Sequence, residues 1–387
     1  MSHVKRQLKN SAGCVRERLF SLDALRGLDM LFLCVVQPLI MAFAWAWDFA
    51  DETAHPLMAQ LNHHWGVFTA YDLIMPLFIF MCGAAVPLAL PRRLDAEGRP
   101  TAAFWKHVGG RVALLWFLGL VAQGRLLQGW ANTISPFNNT LQAIACGYVI
   151  AALVLLLRRR WWQIAAPIAL AAFYGLALAI YDDYSPDGNL AIRFEEWFVR
   201  LIMPAGNRAL ELADPYYTWW FTIPMFGVMT LCGMEATKVL MSARTPWRKA
   251  AVLGIFGAAL YLGGLALVWL GVPSIKHIYT VSFTAEAMGI SVLLLAALYV
   301  VTDIWKFRRG WWMVTLYGQT ALAAYVLGEV FRAIPAAASQ AVFGGFAQRL
   351  GKPWEPIVIE LGLIAALTFA LAVWRAYKTH PQTAHAC

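Results

Sequence analysis

The sequence predicts an all-α polytopic membrane bundle of about ten transmembrane helices with both termini in the cytoplasm, and three observations predict it. The chain of 387 residues is 60% hydrophobic and only 14% charged, with a mean hydropathy of +0.58, a balance that places it among integral membrane proteins. Apolar stretches long enough to cross a bilayer, roughly 20 residues each, recur along its whole length. Lys and Arg alternate from one connection to the next: 21 of the 31 fall in every second connection and 8 in the others. The positive-inside rule puts the richer set, and with it both termini, on the cytoplasmic side. The net charge of +9 is therefore a topology signal, and nucleic acid is not an expected partner.

The spans read as 23–47, 67–91, 105–125, 138–158, 161–181, 217–242, 247–271, 281–304, 311–333 and 354–377. Residues 1–20 form a basic cytoplasmic tail, 21–377 one transmembrane domain and 378–387 a second tail. Trp45 and Trp47, Trp161 and Trp162, Trp219 and Trp220, and Trp311 and Trp312 mark span ends, as an interfacial belt does. The sizeable connections, 48–66, 182–216 and 334–353, are short enough to lie on the bundle. Cys34, Cys82, Cys146 and Cys232 lie inside spans and Cys14 and Cys387 on the tails, so no disulfide framework is expected. The first twenty residues lack an apolar core and a cleavage site, so span 1 is expected to act as its own insertion signal.

Span 1 opens SLDALRGLDM. Ser21 and Asp23 suit a helix start, and Asp23, Arg26 and Asp29 share a stripe on which the arginine can pair with either carboxylate. Ionisable groups at such a position are either a structural ion pair or part of a functional site. Gly27 signals the close approach of a backbone or a ligand, and Gln37 is an amide at membrane depth. The following loop carries Asp51, Glu52, His55, His63 and His64. It has no HxxxH or HExxH spacing, so a metal is not expected there. Thr69-Ala-Tyr-Asp72 matches a capping box ahead of an apolar run, which leaves Asp72 as a helix cap or a catalytic carboxylate. Pro76 and Gly83 are expected to bend or thin span 2.

Arg111, about one turn inside span 3, either snorkels to the interface or meets a phosphate. Asn138 and Asn139 are cap candidates for span 4, and Gln142 is a buried amide in need of a partner. Lys276 and His277 stand beside the external mouth. Span 9 holds Gln319 and Glu329, and Arg332 is placed at i, i+3 to pair with Glu329. No P-loop motif occurs, and no internal repeat of the transporter kind is evident.

SLDALRGLDM at 21–30, W-G-x-x-x-x-x-D-L-x-x-P at 65–76, NTLQAIACGYVIA at 139–151, P-x-x-K-x-I-Y-T at 273–280 and YGQTALAAYVL at 317–327 follow one another across nearly the whole chain. Together they resemble the transmembrane acyltransferases of the heparan-α-glucosaminide N-acetyltransferase-like group, including its bacterial members of unassigned function. The resemblance implies that acetyl-CoA, held from the cytoplasmic side, is the acyl donor and that an amino sugar on the other face is the acceptor. It also implies a catalytic histidine in the first external loop, helped by a span 1 amide and by the Asp of the DL pair. Carried over by position, the Asp is Asp72, the opening Asp and Arg are Asp23 and Arg26, and the lysine is Lys276. Asn62 stands where the family has its histidine, with His63 and His64 following; Gln37 replaces an Asn, and Ile275 replaces the Asn before the lysine.

The residue types fit that chemistry. A thioester is attacked by a free amine, so an imidazole oriented by a carboxylate is the natural base. His63, His64, Asp72 and Gln37 are the expected catalytic set, with Gln37 donating to a developing oxyanion. Adjacent residues project to different sides, so one histidine faces the cavity, and His63, nearer the family position, is the expected one. Asp23, Arg26 and Arg111 are the expected donor-binding groups, the guanidiniums meeting phosphates. Lys276, Gln142 and Gln319 are expected at the acceptor.

The expected function is thus a bacterial inner-membrane acyltransferase that passes an acetyl or related acyl group from acyl-CoA to an external amino sugar or glycan. A sugar or amino-sugar permease is the alternative, and a scaffold whose buried polar groups only pack helices is a third. The bilayer is a partner, and a homodimer is left open, as is an acyl group resting on the histidine.

Overall fold

The computed structural model describes residues 19–49, 55–123, 137, 139–202 and 220–379. Most of both tails, and the expectations on Asp51, Glu52 and Asn138, lie outside the described residues. Within these residues the chain is helical with no strand. Seven helices are long and apolar enough to cross a membrane, or eight if one bent pair is counted as a span. The helices are α1 (Phe20–Ala46), α2 (Ala70–Ala89), α3 (Ala102–Ala122), α4 (Thr140–Leu155), α5 (Arg160–Tyr181), α6 (Leu190–Ile202), α7 (Ile223–Leu240), α8 (Pro246–Trp269), α9 (Val281–Ile304), α10 (Trp312–Gln319), α11 (Ala321–Val330), α12 (Ala333–Leu350) and α13 (Trp354–Thr379).

The bundle has a centre and a rim, and apolar length alone does not distinguish them. The most apolar window of α7 is 72% buried and that of α2 67%, against 11% for α5 and 17% for α8. Ile164, Ile168, Phe173 and Leu176 on α5, and Ile255 and Leu262 on α8, are exposed, as a lipid-facing surface requires. The central pair α2/α7 interlocks through reciprocal glycines. A Cβ on Gly83 would sit 1.8 Å from the Thr230 carbonyl oxygen, and one on Gly233 would sit 1.9 Å from that of Phe80. The helices touch backbone to backbone, the contact small residues permit in membranes. Gly27 serves the same purpose between α1 and α10, where its Cβ would meet the Val314 carbonyl at 1.8 Å; the close approach is to a backbone.

Five local expectations change. Ser21 and Asp23 make no side-chain cap on α1. The Asp303 carboxylate of α9 accepts instead from the backbone N–H groups of Phe20 (3.2 Å) and Ser21 (3.0 Å), satisfying orphan donors from across the bundle. Pro76 falls in the first turn of the α-helical part of α2, Ile74–Ala89, which follows a 3-10 turn at Ala70–Leu73, so no α-helical hydrogen bond is lost. The expected span 311–333 is not one helix: α10 ends at Thr320, and α11 and α12 meet at 70°. The expected 334–353 loop is largely helix α12, whose small residues give no clear stripe although Ile334, Val342 and Phe346 are exposed. Part of the 182–216 loop is likewise helical, as α6.

Three π turns interrupt the regular helices among the described residues; one, Val300–Ile304, ends α9 and carries Asp303, and the other two lie near one another in the bundle. One spans Phe32–Val36 in α1, just before Gln37, and the other Val326–Val330 in α11. Such turns re-aim side chains and often mark functional sites.

Candidate functional site

The site is assembled from two loops at the same end of the bundle. The segment before α2 is tied by Thr69 and Asp72. Asp72 Oδ2 accepts the Thr69 N–H at 2.9 Å, completing the capping box. The Thr69 hydroxyl donates to the Asn62 carbonyl at 2.9 Å, and the Gln60 carbonyl accepts the Tyr71 N–H at 3.1 Å. Asp72 is fully buried, and its second oxygen is directed by this frame at His63.

The 271–280 connection is a buried plug. Tyr279 takes a positive φ of 48°, Thr280 Oγ accepts the Ile275 N–H at 3.0 Å, and the Ser282 hydroxyl donates to the Pro273 carbonyl at 2.7 Å. Tyr174 of α5 donates from its hydroxyl to the Ile278 carbonyl. These bonds fix Lys276, which is 4% exposed.

His63 Nδ1 lies 2.6 Å from Asp72 Oδ1. Lys276 Nζ lies 2.6 Å from His63 Nε2 and 2.9 Å from Nδ1, and 3.6 Å from Asp72 Oδ1. The Asp72 carboxylate accepts the Nδ1 proton, and Lys276 Nζ lies beside the ring, close to both nitrogens, which leaves the in-plane lone pair of Nε2 free. Burial holds the His63 pKa below the ordinary histidine value, assisted by the neighbouring Lys276 charge and opposed by the hydrogen bond to Asp72. Burial also brings Lys276 down to about 8, against the pull of Asp72. A neutral imidazole and an easily deprotonated amine, oriented by a carboxylate, can together act as a proton relay.

Aromatic rings wall the relay. Tyr71 packs on His63 with centroids 4.8 Å apart and lies 5.8 Å from Lys276 Nζ. His277 meets His63 edge-on at 6.1 Å and stacks on Trp65 at 5.2 Å. Trp65 Nε1 in turn donates to the Tyr184 carbonyl at 3.0 Å. His64 is turned away, its Nε2 reaching the Ala59 carbonyl at 3.1 Å. Of the two histidines expected to be catalytic, His63 is the one that reaches Asp72 and Lys276, because the tight turn sends the neighbouring side chain to the other side.

The other expected residues divide. Gln37 lines a cavity of about 800 Å³ that Tyr71 also lines, so the span 1 amide and the relay share a ring as their common wall. Arg111 does not snorkel. Its guanidinium lies over the Tyr148 ring at 4.8 Å and reaches Cys82 Sγ at 3.7 Å. Arg111 Nε and the Tyr148 hydroxyl are buried without a partner, donors that suit an anion. Arg26 Nη1 stands 3.9 Å from Asp23, whereas Asp29 Oδ2 has no hydrogen-bond partner among the described residues, so the opening pair is Asp23 with Arg26.

Gln142 is fully buried on α4, beneath Gly119 of α3, and Asn139 caps that helix through the Leu141 N–H at 2.8 Å. Gln319 is half-buried at the end of α10. Neither lines the 800 Å³ cavity, which does not support their expected acceptor role. Lys276, expected at the acceptor, belongs to the relay. Arg332 pairs with Glu360 at 2.6 Å and not with Glu329, because the π turn removes the i, i+3 alignment. Tyr71 carried no sequence signal beyond its nearness to His63, whereas Trp65 opens the W-G-x-x-x-x-x-D-L-x-x-P motif and His277 follows Lys276.

A family model described as a domain of unknown function (DUF5009) matches residues 18–223, a stretch that includes His63, Asp72 and Arg111. Comparison with the curated proteins gives no match.

Proposed function

Since the chain belongs to the DUF5009 family, whose description assigns no activity, we propose from its own residues that it is a membrane acyltransferase. It moves an acetyl or related acyl group from cytoplasmic acyl-CoA to the amine of an amino sugar or glycan on the external face. About ten spans with cytoplasmic termini in a bacterial inner membrane would place the relay outside and the Arg26 and Arg111 guanidiniums towards the cytoplasm. The observation that carries the reading is the Asp72, His63, Lys276 relay, with 2.6 Å at each of its two principal contacts. A carboxylate, a neutral imidazole and a lysine near neutrality are what amine acylation uses.

The acceptor amine attacks the thioester carbonyl, so that a C–N bond forms and the C–S bond breaks. His63 Nε2 takes the amine proton, and Asp72 stabilises the imidazolium that results. The proton passes to the leaving thiolate through Lys276, whose ammonium gives up one proton and regains one from His63. Gln37 can donate to the oxyanion from its amide. Arg26 and Arg111, with the unpartnered Nε of Arg111, can meet the CoA phosphates.

The test is the purified protein with labelled acetyl-CoA and glucosamine. N-acetylglucosamine should form, and His63→Ala should abolish it. Uptake of glucosamine into vesicles without acetylation would replace the enzyme reading with a permease.

A further inference from the structure

The cavity beside Tyr71 is unlike the other large one in the bundle. A groove of about 910 Å³ runs between α5, α7, α8 and α9 among Pro167, Gly175, Phe256 and Met288, an almost wholly apolar crevice suited to lipid chains. The 800 Å³ cavity is instead walled by α1, the α11–α12 bend and the start of α13, and it carries three carboxylates and two cations, namely Glu329, Glu355 and Glu360 against Arg332 and Lys352. Arg332 and Glu360 neutralise each other at 2.6 Å. Glu329 is exposed in the structure and forms no ion pair within 4 Å among the described residues. The cavity lining is therefore acidic on a formal count of three against two.

The π turns of α1 and α11 lead into this space, whereas that of α9 does not. The Phe32–Val36 turn immediately precedes Gln37, and the Val326–Val330 turn contains Glu329, so the two helices leave their regular course where the cavity needs an amide and a carboxylate. Trp45, 71% exposed, presents a flat ring on the same wall, a surface for the apolar face of a sugar ring. The volume lies within the range of small-molecule sites. Tyr71 closes the cavity on one side and packs against His63 on the other.

We infer that this cavity binds the acceptor as the ammonium form of a sugar amine, with Glu329 as the counter-charge, Gln37 meeting a hydroxyl and Trp45 the ring face. The inference rests on the acyltransferase reading for its name of acceptor, and it specifies where that acceptor waits before passing Tyr71 to His63. The ammonium first gives one proton to water as it leaves Glu329, the free amine is then acylated, and the neutral amide that results has no attraction to Glu329.

The test is equilibrium binding of glucosamine, glucose and N-acetylglucosamine to the detergent-purified full chain without acyl-CoA. Glucosamine should bind at least about tenfold more tightly than the two neutral sugars, as loss of one charged contact implies. Glu329→Gln should remove that preference while leaving the thermal transition in place, and Gln37→Leu should weaken all three sugars alike. A short glucosamine oligomer, added as a further arm, should bind more tightly than the monomer if the acceptor is a glycan and no more tightly if it is a free sugar. Equal binding of glucosamine and glucose by the unaltered protein, or a preference intact in Glu329→Gln, would overturn the inference. Selective glucosamine binding without any acetyl transfer keeps this site and removes the acyltransferase; acetyl transfer with an unchanged KM for glucosamine in Glu329→Gln does the reverse.

Discussion

His63 Nδ1 stands 2.6 Å from Asp72 Oδ1 while the adjacent His64 turns its Nε2 to the Ala59 carbonyl at 3.1 Å. Two neighbouring imidazoles are therefore chemically distinct, one built into a buried relay and the other spent on holding a turn. His63→Ala should reduce acyl transfer by about 10²–10⁴-fold, the usual loss for a general base. His64→Ala should leave kcat within about threefold and cost about 1 kcal/mol of stability for its hydrogen bond. Steady-state kinetics and thermal unfolding of the two variants, side by side, check both statements, and the reverse ranking would remove His63 from the mechanism.

Asp72 serves two partners at once, with Oδ1 on His63 and Oδ2 on the Thr69 N–H. Asp72→Asn keeps the shape, but its amide NH2 must replace one acceptor, which leaves either the imidazole in the wrong tautomer or the helix start uncapped. The expected result is a fall in kcat of roughly 10²-fold or more together with a loss of about 1 kcal/mol. Asp72→Glu should recover neither, since the capping geometry fixes the carboxylate's position.

The relay sets a bell-shaped dependence of rate on pH. His63 acts only when neutral, and burial keeps its pKa below the ordinary histidine value of 6.5, so the acid limb should lie below about pH 6.5. Lys276 delivers a proton only as ammonium, and at a pKa of about 8 it should set the alkaline limb there. Lys276→Arg should move that limb to higher pH; an alkaline limb that stays at 8 in this variant would assign it to another group.

The same lysine makes a stability prediction of definite sign. Its folded pKa of about 8 lies below the reference value of 10.5, so between those two values the unfolded chain binds more protons than the folded one. Stability should therefore rise with pH through the window from 8 to 10.5, by on the order of 3 kcal/mol from this group. Thermal unfolding across that window reads the effect, and Lys276→Met should flatten it.

Glycine contacts test the packing. Gly83→Ala places a methyl 1.8 Å from the Thr230 carbonyl oxygen, whereas Gly254 on α8 has nothing within 4 Å of an added Cβ. Gly83→Ala should cost about 2 kcal/mol or more, because backbone cannot move aside as a flexible side chain does. Gly254→Ala should be neutral or mildly stabilising.

Membrane class, helical content and the long spans such as α1, α2, α8 and α9 were determined by the sequence alone, because in a bilayer every backbone polar group is satisfied within its own segment, and composition reports this directly. The capping box at Thr69 and Asp72 and the close approach at Gly27 were legible for the same reason: each depends on local spacing or on a single small residue. Span 311–333 was misread because hydropathy follows apolar length and is blind to the break at Thr320 and the π turn at Val326–Val330. Only the tertiary structure brought Lys276 to His63, 213 positions away, moved Arg332 from Glu329 to Glu360, capped α1 with Asp303 and set Tyr71 between the relay and a charged cavity. Hydrogen bonds and ion pairs depend on ångström distances between elements remote in the chain, and no periodicity along one segment encodes those distances.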